Sequence, residues 1–77
     1  MTPEKRRYLG FQRASVSHLI VHEMRLHGYT RKALAEAIGI SPQAVAKTLY
    51  GISHSPRVLE KLRSIGIQEC WLFDPNA

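Results

Sequence analysis

The stretch GISPQAVAKTLYG, residues Gly39–Gly51, decides how the rest of the chain reads. Two glycines bracket a segment that opens on Ser41-Pro42. A serine hydroxyl accepts from the free backbone N–H groups of a first helical turn, and a proline in that turn loses no hydrogen bond. Val45 and Leu49 then fall on one side and Pro42, Gln43, Ala46 and Lys47 on the other, because positions three and four apart share a helix face. The stretch predicts a short helix with an apolar inner side and a polar, cationic outer one.

The segment before it, TRKALAEAIG (Thr30–Gly39), has the same plan. Thr30 caps the start, Leu34, Ala35 and Ile38 form the inner stripe, and Gly39 closes it. Only Gly39-Ile40 separates the two helices, so they must cross steeply, as in a helix-turn-helix. Ala35 is small where the second helix approaches, and Gly39 can take the positive φ that the turn needs. Ile40 and Val45 give the pair a small core of its own. The second helix is thereby held away from the body, with Pro42, Gln43, Ala46 and Lys47 projecting together.

Helix starts and stops recur outward from this pair. SVSHLIVHEMRLHG (Ser15–Gly28) puts Val16, Leu19, Ile20 and Met24 on one face and ends at Gly28. SPRVLEKLRSIG (Ser55–Gly66) repeats the Ser-Pro opening and turns Val58, Leu59, Leu62 and Ile65 inward. IQECWLF (Ile67–Phe73) predicts one last turn, with Trp71, Leu72 and Phe73 packing back, and with Cys70, Trp71 and Phe73 either in the core or partly on a dimer surface. Order is expected to end at Asp74-Pro75, which makes 74–77 a disordered tail. At the other end, TPEKRRYL offers Thr2 as a cap, Pro3 as the first helical residue and Gly10 as a stop. Residues 1–13 read either as a short helix or as a mobile basic arm, and 14–73 as one domain. No strand pattern persists. The expected fold class is all-α, with four to five short helices.

A chain of 77 residues has room for one domain. It buries roughly 60% of the surface that it exposes when unfolded, too little for a deep, walled active site. Lys and Arg number 11 against 6 Asp and Glu, a net charge of +5, and such an excess suits a polyanionic partner. Lys5, Arg6, Arg7 and Arg13 crowd the N-terminus, and Arg31, Lys32, Lys47 and Arg57 surround the opening stretch. After Gly66 the only charges are Glu69 and Asp74. One basic face and a neutral or acidic far end are expected.

The single cysteine, Cys70, cannot form an internal disulfide, which suits a reducing cytoplasm. No apolar run approaches the ~18 residues of a membrane span, and MTPEKRRYLG has neither a signal peptide's apolar segment nor a myristoylation glycine. A cytoplasmic protein is expected. His18 and His22 have a spacing that can hold zinc on a helix, but no third or fourth ligand is placed to complete a site, so a solvated face is expected and no metal. No Ser/His/Asp or Cys/His grouping suggests a nucleophile, and acids are too few for a two-carboxylate site. Neither catalysis nor a cofactor is expected.

A projecting helix of this kind fits a DNA major groove. Glutamine pairs bidentately with adenine, lysine donates to guanine, and an alanine methyl meets a thymine methyl. Gln43 and Lys47 are the candidate base readers, with Ala46 adding van der Waals contact and Pro42 only shape. Arg31 and Lys32, beside a helix N-terminus, are placed for phosphates.

Here YTRKALAEAIGISPQAVAKTLYG (Tyr29–Gly51) resembles, without a gap, the helix-turn-helix of lambda-repressor-like proteins, the class of phage Cro and repressor proteins. The agreement lies at Thr30, Leu34, Ala35, Ile38, Gly39, Ile40, Ser41, Val45 and Gly51. The ending VAKTLYG also resembles the lac-repressor-family headpiece, while the Ser-Pro-Arg-Val continuation and the small size are similar to regulators of Mu-like phages. There are departures. Arg31 replaces a common glutamine, Tyr50 a common asparagine, Glu23 an often apolar residue, and Thr48 a core aliphatic whose place Leu49 would take.

The resemblance implies a sequence-specific, double-stranded DNA-binding transcriptional regulator, a repressor of phage or mobile-element type. It carries base reading to Pro42, Gln43 and Lys47. Phosphate contact falls on Thr30, Arg31, Lys32, Ser41 and Tyr50, and on Ser53, His54 and Arg57 in and after the next loop. One such module covers few base pairs, so a homodimer on an inverted-repeat operator is expected. Lys5, Arg6 and Arg7 are either a DNA-tracking arm or a solubilising run. Two rival readings are an antitoxin-like autoregulator whose main partner is a protein toxin, and a helical adaptor that never touches DNA.

Overall fold

Helix boundaries in the computed structural model, which describes residues 2–76, fall largely where capping chemistry places them. Six helices follow in order: α1 (Pro3–Ser15), α2 (Ser17–Leu26), α3 (Arg31–Ile38), α4 (Pro42–Leu49), α5 (Pro56–Ser64) and α6 (Glu69–Leu72). Among the described residues there is no strand, and no helix is long and apolar enough to cross a membrane. Met1 and Ala77, the ends of the expected arm and tail, lie outside the described residues.

Three of the expected caps form. Thr2 Oγ1 accepts from the N–H of Lys5 at 3.2 Å, Thr30 Oγ1 from that of Ala33 at 3.0 Å, and Ser41 Oγ from that of Ala44 at 3.2 Å. Ser55 differs. Its side chain makes no capping bond, and its backbone N–H instead donates to Thr48 Oγ1 at 3.4 Å.

The core is one cluster of Ile20, Met24, Leu34, Ala35, Val45, Leu49, Val58, Leu59, Leu62, Ile67 and Leu72. It lies where α3 packs on α4 and α5, and α4 on α5. Val16, Ile38, Ile65 and Trp71 are half-buried against it. Two expectations need correction. Leu19 is 37% exposed, because the inner stripe of α2 runs through Ser17, Ile20 and Met24 and leaves Leu19 off to one side. Of the two alternatives for Cys70 the core one falls, because the residue is exposed while Leu72, expected to pack back, is the one of α6 that reaches the core.

The N-terminal segment holds the largest difference. Gly10 does not stop a helix; α1 runs through it to Ser15. A glycine inside a helix costs about 1 kcal/mol relative to alanine, so the position needs a compensating reason. That reason is close approach. Gly10 is buried against Gly51, and a Cβ on either one would collide with the other's carbonyl oxygen. One turn later Arg13 is fully buried and reaches into the same region. At the other end, Asp74 is tied to Arg63 at 2.6 Å and Pro75 is buried, so the first residues of the expected tail are packed.

Candidate nucleic-acid interface

The turn between α3 and α4 sets the direction of α4. Gly39 takes φ 75°, and the N–H of Ile40 donates back to the carbonyl of Ala35 at 3.0 Å, closing α3 just before Ser41 opens the next helix. The inner side of α4, Val45, Thr48 and Leu49, is buried. Its outer side presents Ser41, Pro42, Gln43 and Lys47 exposed, with Ala46 half-buried between them.

Thr48 and Leu49 are both in the core, so the threonine is an addition to the leucine rather than displaced by it. A buried hydroxyl is stable only with partners. Thr48 donates to the carbonyl of Ala44 at 3.3 Å and lies 3.1 Å from Ser53 Oγ. The threonine thus fastens the loop after α4 to the helix itself.

Three shallow hollows cross this side of the molecule and share residues. The first is lined by Arg25, Thr30, Arg31, Lys32, Pro42, Gln43 and Ala46. Arg25 and Arg31 also line the second, together with His18, His22 and Tyr50. Tyr50 continues into the third, beside Arg7, Phe11 and Ile52. Arg31 Nη1 donates to Tyr50 Oη at 2.8 Å, which joins α3 to the end of α4 across the middle. None of the chain's 6 Asp and Glu residues lines any of the three.

Three of the acids collect elsewhere. Arg63 gathers Glu60 at 3.2 Å, Glu69 at 2.6 Å and Asp74 at 2.6 Å. Its hydrogen bonds to Glu69 and Asp74 raise its own pKa, and the Glu69 carboxyl is held below its ordinary value by Arg63 in turn. Burial works to raise the Asp74 carboxyl, but hydrogen bonds from Arg63 and from the Asn76 N–H outweigh it and leave it lowered. The far end expected to be neutral or acidic is an ion-paired cluster.

Behind the interface, Arg13 supports the loop between α4 and α5. Its Nε donates to the carbonyl of Thr48 at 2.6 Å and its Nη1 to those of Leu72 at 3.0 Å and Phe73 at 3.3 Å. Nη2 donates to the carbonyl of Ser53 at 2.6 Å and lies 2.8 Å from His54 Nδ1. With a guanidinium donating to it, Nδ1 must be the acceptor, so the ring is neutral with its proton on Nε2. Burial, then the charges of Arg13 and Arg6, push the His54 pKa below its ordinary value; a backbone hydrogen bond with Arg6 and the charge of Asp74 work weakly against them. Burial lowers the Arg13 pKa as well, against the charge of Asp74.

The residues singled out from sequence therefore separate into groups. Thr30, Arg31, Lys32, Pro42, Gln43 and Ala46 come together in one hollow, with Ser41 and Lys47 exposed on the same helix. Tyr50 is tethered to Arg31. Ser53 and His54 are half-buried and held from behind by Arg13. Arg57 is exposed but spends one donor on the carbonyl of Ile38 at 2.8 Å, at the end of α3. Lys5 and Arg7 are exposed on α1, with Arg6 half-buried.

Sequence reasoning missed Arg25, which lines the same two hollows as Arg31, because that juxtaposition depends on how α2 is placed beside α3. It also counted Arg13 with the surface cations. The signal available was its place three residues after Gly10, on the one face of α1 that carries a buried glycine.

A helix-turn-helix family model matches residues 21–64, from the middle of α2 through the last residue of α5. Comparison with curated proteins and with solved structures gave no match.

Proposed function

We propose, from the premise that the chain belongs to the lambda-repressor/Cro-like helix-turn-helix family of DNA-binding regulators, that it is a sequence-specific transcriptional repressor of phage or mobile-element type. In this reading α4 enters the major groove. Gln43 pairs with an adenine edge, Lys47 donates to guanine, Ala46 meets a thymine methyl, and Pro42 contributes shape. Thr30, Arg31, Lys32, Ser41 and Tyr50 contact phosphates on one side of the groove. Ser53, His54 and Arg57 do so on the other. A homodimer places two such helices on an inverted repeat, with half-sites one DNA turn or a multiple of it apart.

One observation carries the reading. The outer polar side chains of α4 make no hydrogen bond or ion pair with other described residues, and they stand in a field of cations from which carboxylates are absent. An exposed glutamine and lysine with unused donors, on a helix fixed by a buried inner side, are arranged for an external acceptor.

Selection of binding sites from random duplex DNA, followed by footprinting, tests it. The expected result is an enriched inverted repeat protected over two half-sites. Recovery of no preferred sequence would remove the repressor reading. Flat fluorescence anisotropy with any duplex at low salt would favour an adaptor that binds only protein.

A further inference from the structure

The family match leaves α1 outside it, yet α1 is fixed to the matched region by the Gly10–Gly51 contact and by Arg13. Beside those anchors is a surface of which the proposed recognition by α4 uses only Tyr50. Phe11 is 69% exposed and Ile52, on the loop after α4, is 74% exposed. With Arg7 and Tyr50 they line one hollow, and Tyr50 joins that hollow to the one containing Arg25 and Arg31. The surface that starts at Gln43 therefore continues without a carboxylate as far as Arg7.

Large exposed apolar side chains that adjoin one another, as Phe11 and Ile52 do in one hollow, mark a contact surface where singly scattered ones do not. Two occupants suit the apolar part, a second copy of the chain or a nucleic acid, and charge separates them. Two copies packed here would bring Arg7 of each onto a face whose lining has no carboxylate to receive it. Duplex DNA offers phosphates to the cations and deoxyribose rings to Phe11 and Ile52. We infer that the face formed by Arg7, Phe11, Tyr50 and Ile52 is a second duplex-DNA contact, continuous with the α4 surface and lying on the sugar–phosphate backbone at the edge of the site. The inference rests on the DNA-binding reading above. Because α1 is already locked in place, this contact needs no ordering of a mobile arm when DNA binds.

The probe is the duplex selected by the wild-type protein, flanked by additional base pairs. Arg7→Ala is expected to weaken binding to selected and scrambled duplexes alike and to reduce the salt slope by about one. The double variant Phe11→Ser, Ile52→Ser is expected to lose about five- to tenfold in affinity. Its hydroxyl-radical protection should recede at the outer edge, with base preference and thermal midpoint unchanged. Wild-type affinity, slope and protection in these variants, alongside lost preference in Gln43→Ala, would overturn this face and leave α4 recognition standing. A lower dimer mass in sedimentation equilibrium with the outer protection intact would overturn it in favour of a second copy. Failure of the wild-type protein to bind any duplex would remove both readings at once.

Discussion

Arg13 and Lys47 carry the same charge on helices of one small domain and meet opposite fates. Arg13 is fully buried, and its guanidinium donates to four backbone carbonyls and one imidazole nitrogen. Lys47 is exposed, and its ammonium has no partner among the described residues. The first cation builds the platform and the second is displayed on it. Formal charge alone does not tell the two apart; the number of donors left unspent does.

The largest way to break this contrast is Arg13→Met. It would leave the carbonyls of Thr48, Ser53, Leu72 and Phe73, and His54 Nδ1, without their donor, at about 1–3 kcal/mol for each one that water cannot reach. A loss of about 4 kcal/mol or more is expected, close to the whole stability of a domain this small. Urea denaturation followed by circular dichroism measures it. Arg13→Lys should fall between, since an ammonium has three donors in place of five. A loss under about 1 kcal/mol for Arg13→Met would mean that the guanidinium is not the hub described.

A smaller effect sharpens the anchoring of α1. Gly39 and Gly51 both have positive φ, 75° and 79°, but an added Cβ meets open space at Gly39 and the Gly10 carbonyl at Gly51. Gly39→Ala should cost about 1–2 kcal/mol from backbone conformation alone. Gly51→Ala should cost about 2–4 kcal/mol, because overpacking adds to it. Equal losses in thermal or urea unfolding would contradict the close contact of α1 with the loop.

Acidification probes the same platform more gently. His54 is neutral in the fold with its pKa lowered, so unfolding takes up a proton once the pH falls below the ordinary histidine value of about 6.5. Stability is greatest above that value and declines as the pH falls through the lowered one. The lowered carboxyls of Asp74 and Glu69 act in the same direction at more acid pH, contributing above their ordinary values near 4 and failing below. Denaturation midpoints of wild type and His54→Gln between pH 7 and 5 check the first step. The variant, whose amide oxygen can still accept from Arg13, should show the flatter profile.

How much was legible in the sequence follows from the range of the interactions. Caps at Thr2, Thr30 and Ser41 involve partners three residues away, so local chemistry announces them. The outer side of α4 follows from helical periodicity. Arg13 binds carbonyls 35 to 60 residues away, and no local pattern reports that. Gly10 was misread because a glycine that ends a helix and one that admits a neighbouring backbone look the same in sequence. Cys70 depended on the rotation of a helix of 4 residues, too short for periodicity to fix. The base-reading and phosphate-contacting roles were legible only as chemistry on a face, since their partner is another molecule.

On stability, Gln43→Ala and Lys47→Ala should have the smallest effect of all, within about 0.5 kcal/mol, because neither side chain is used inside the fold. Their effect belongs to recognition. Fluorescence anisotropy of the wild-type protein and the Gln43→Ala, Lys47→Ala double variant, against the selected duplex and a scrambled one, measures it most directly. The ratio of the two affinities should fall at least about tenfold in the variant while its thermal midpoint stays at the wild-type value. An unchanged ratio would contradict base reading by the outer side of α4.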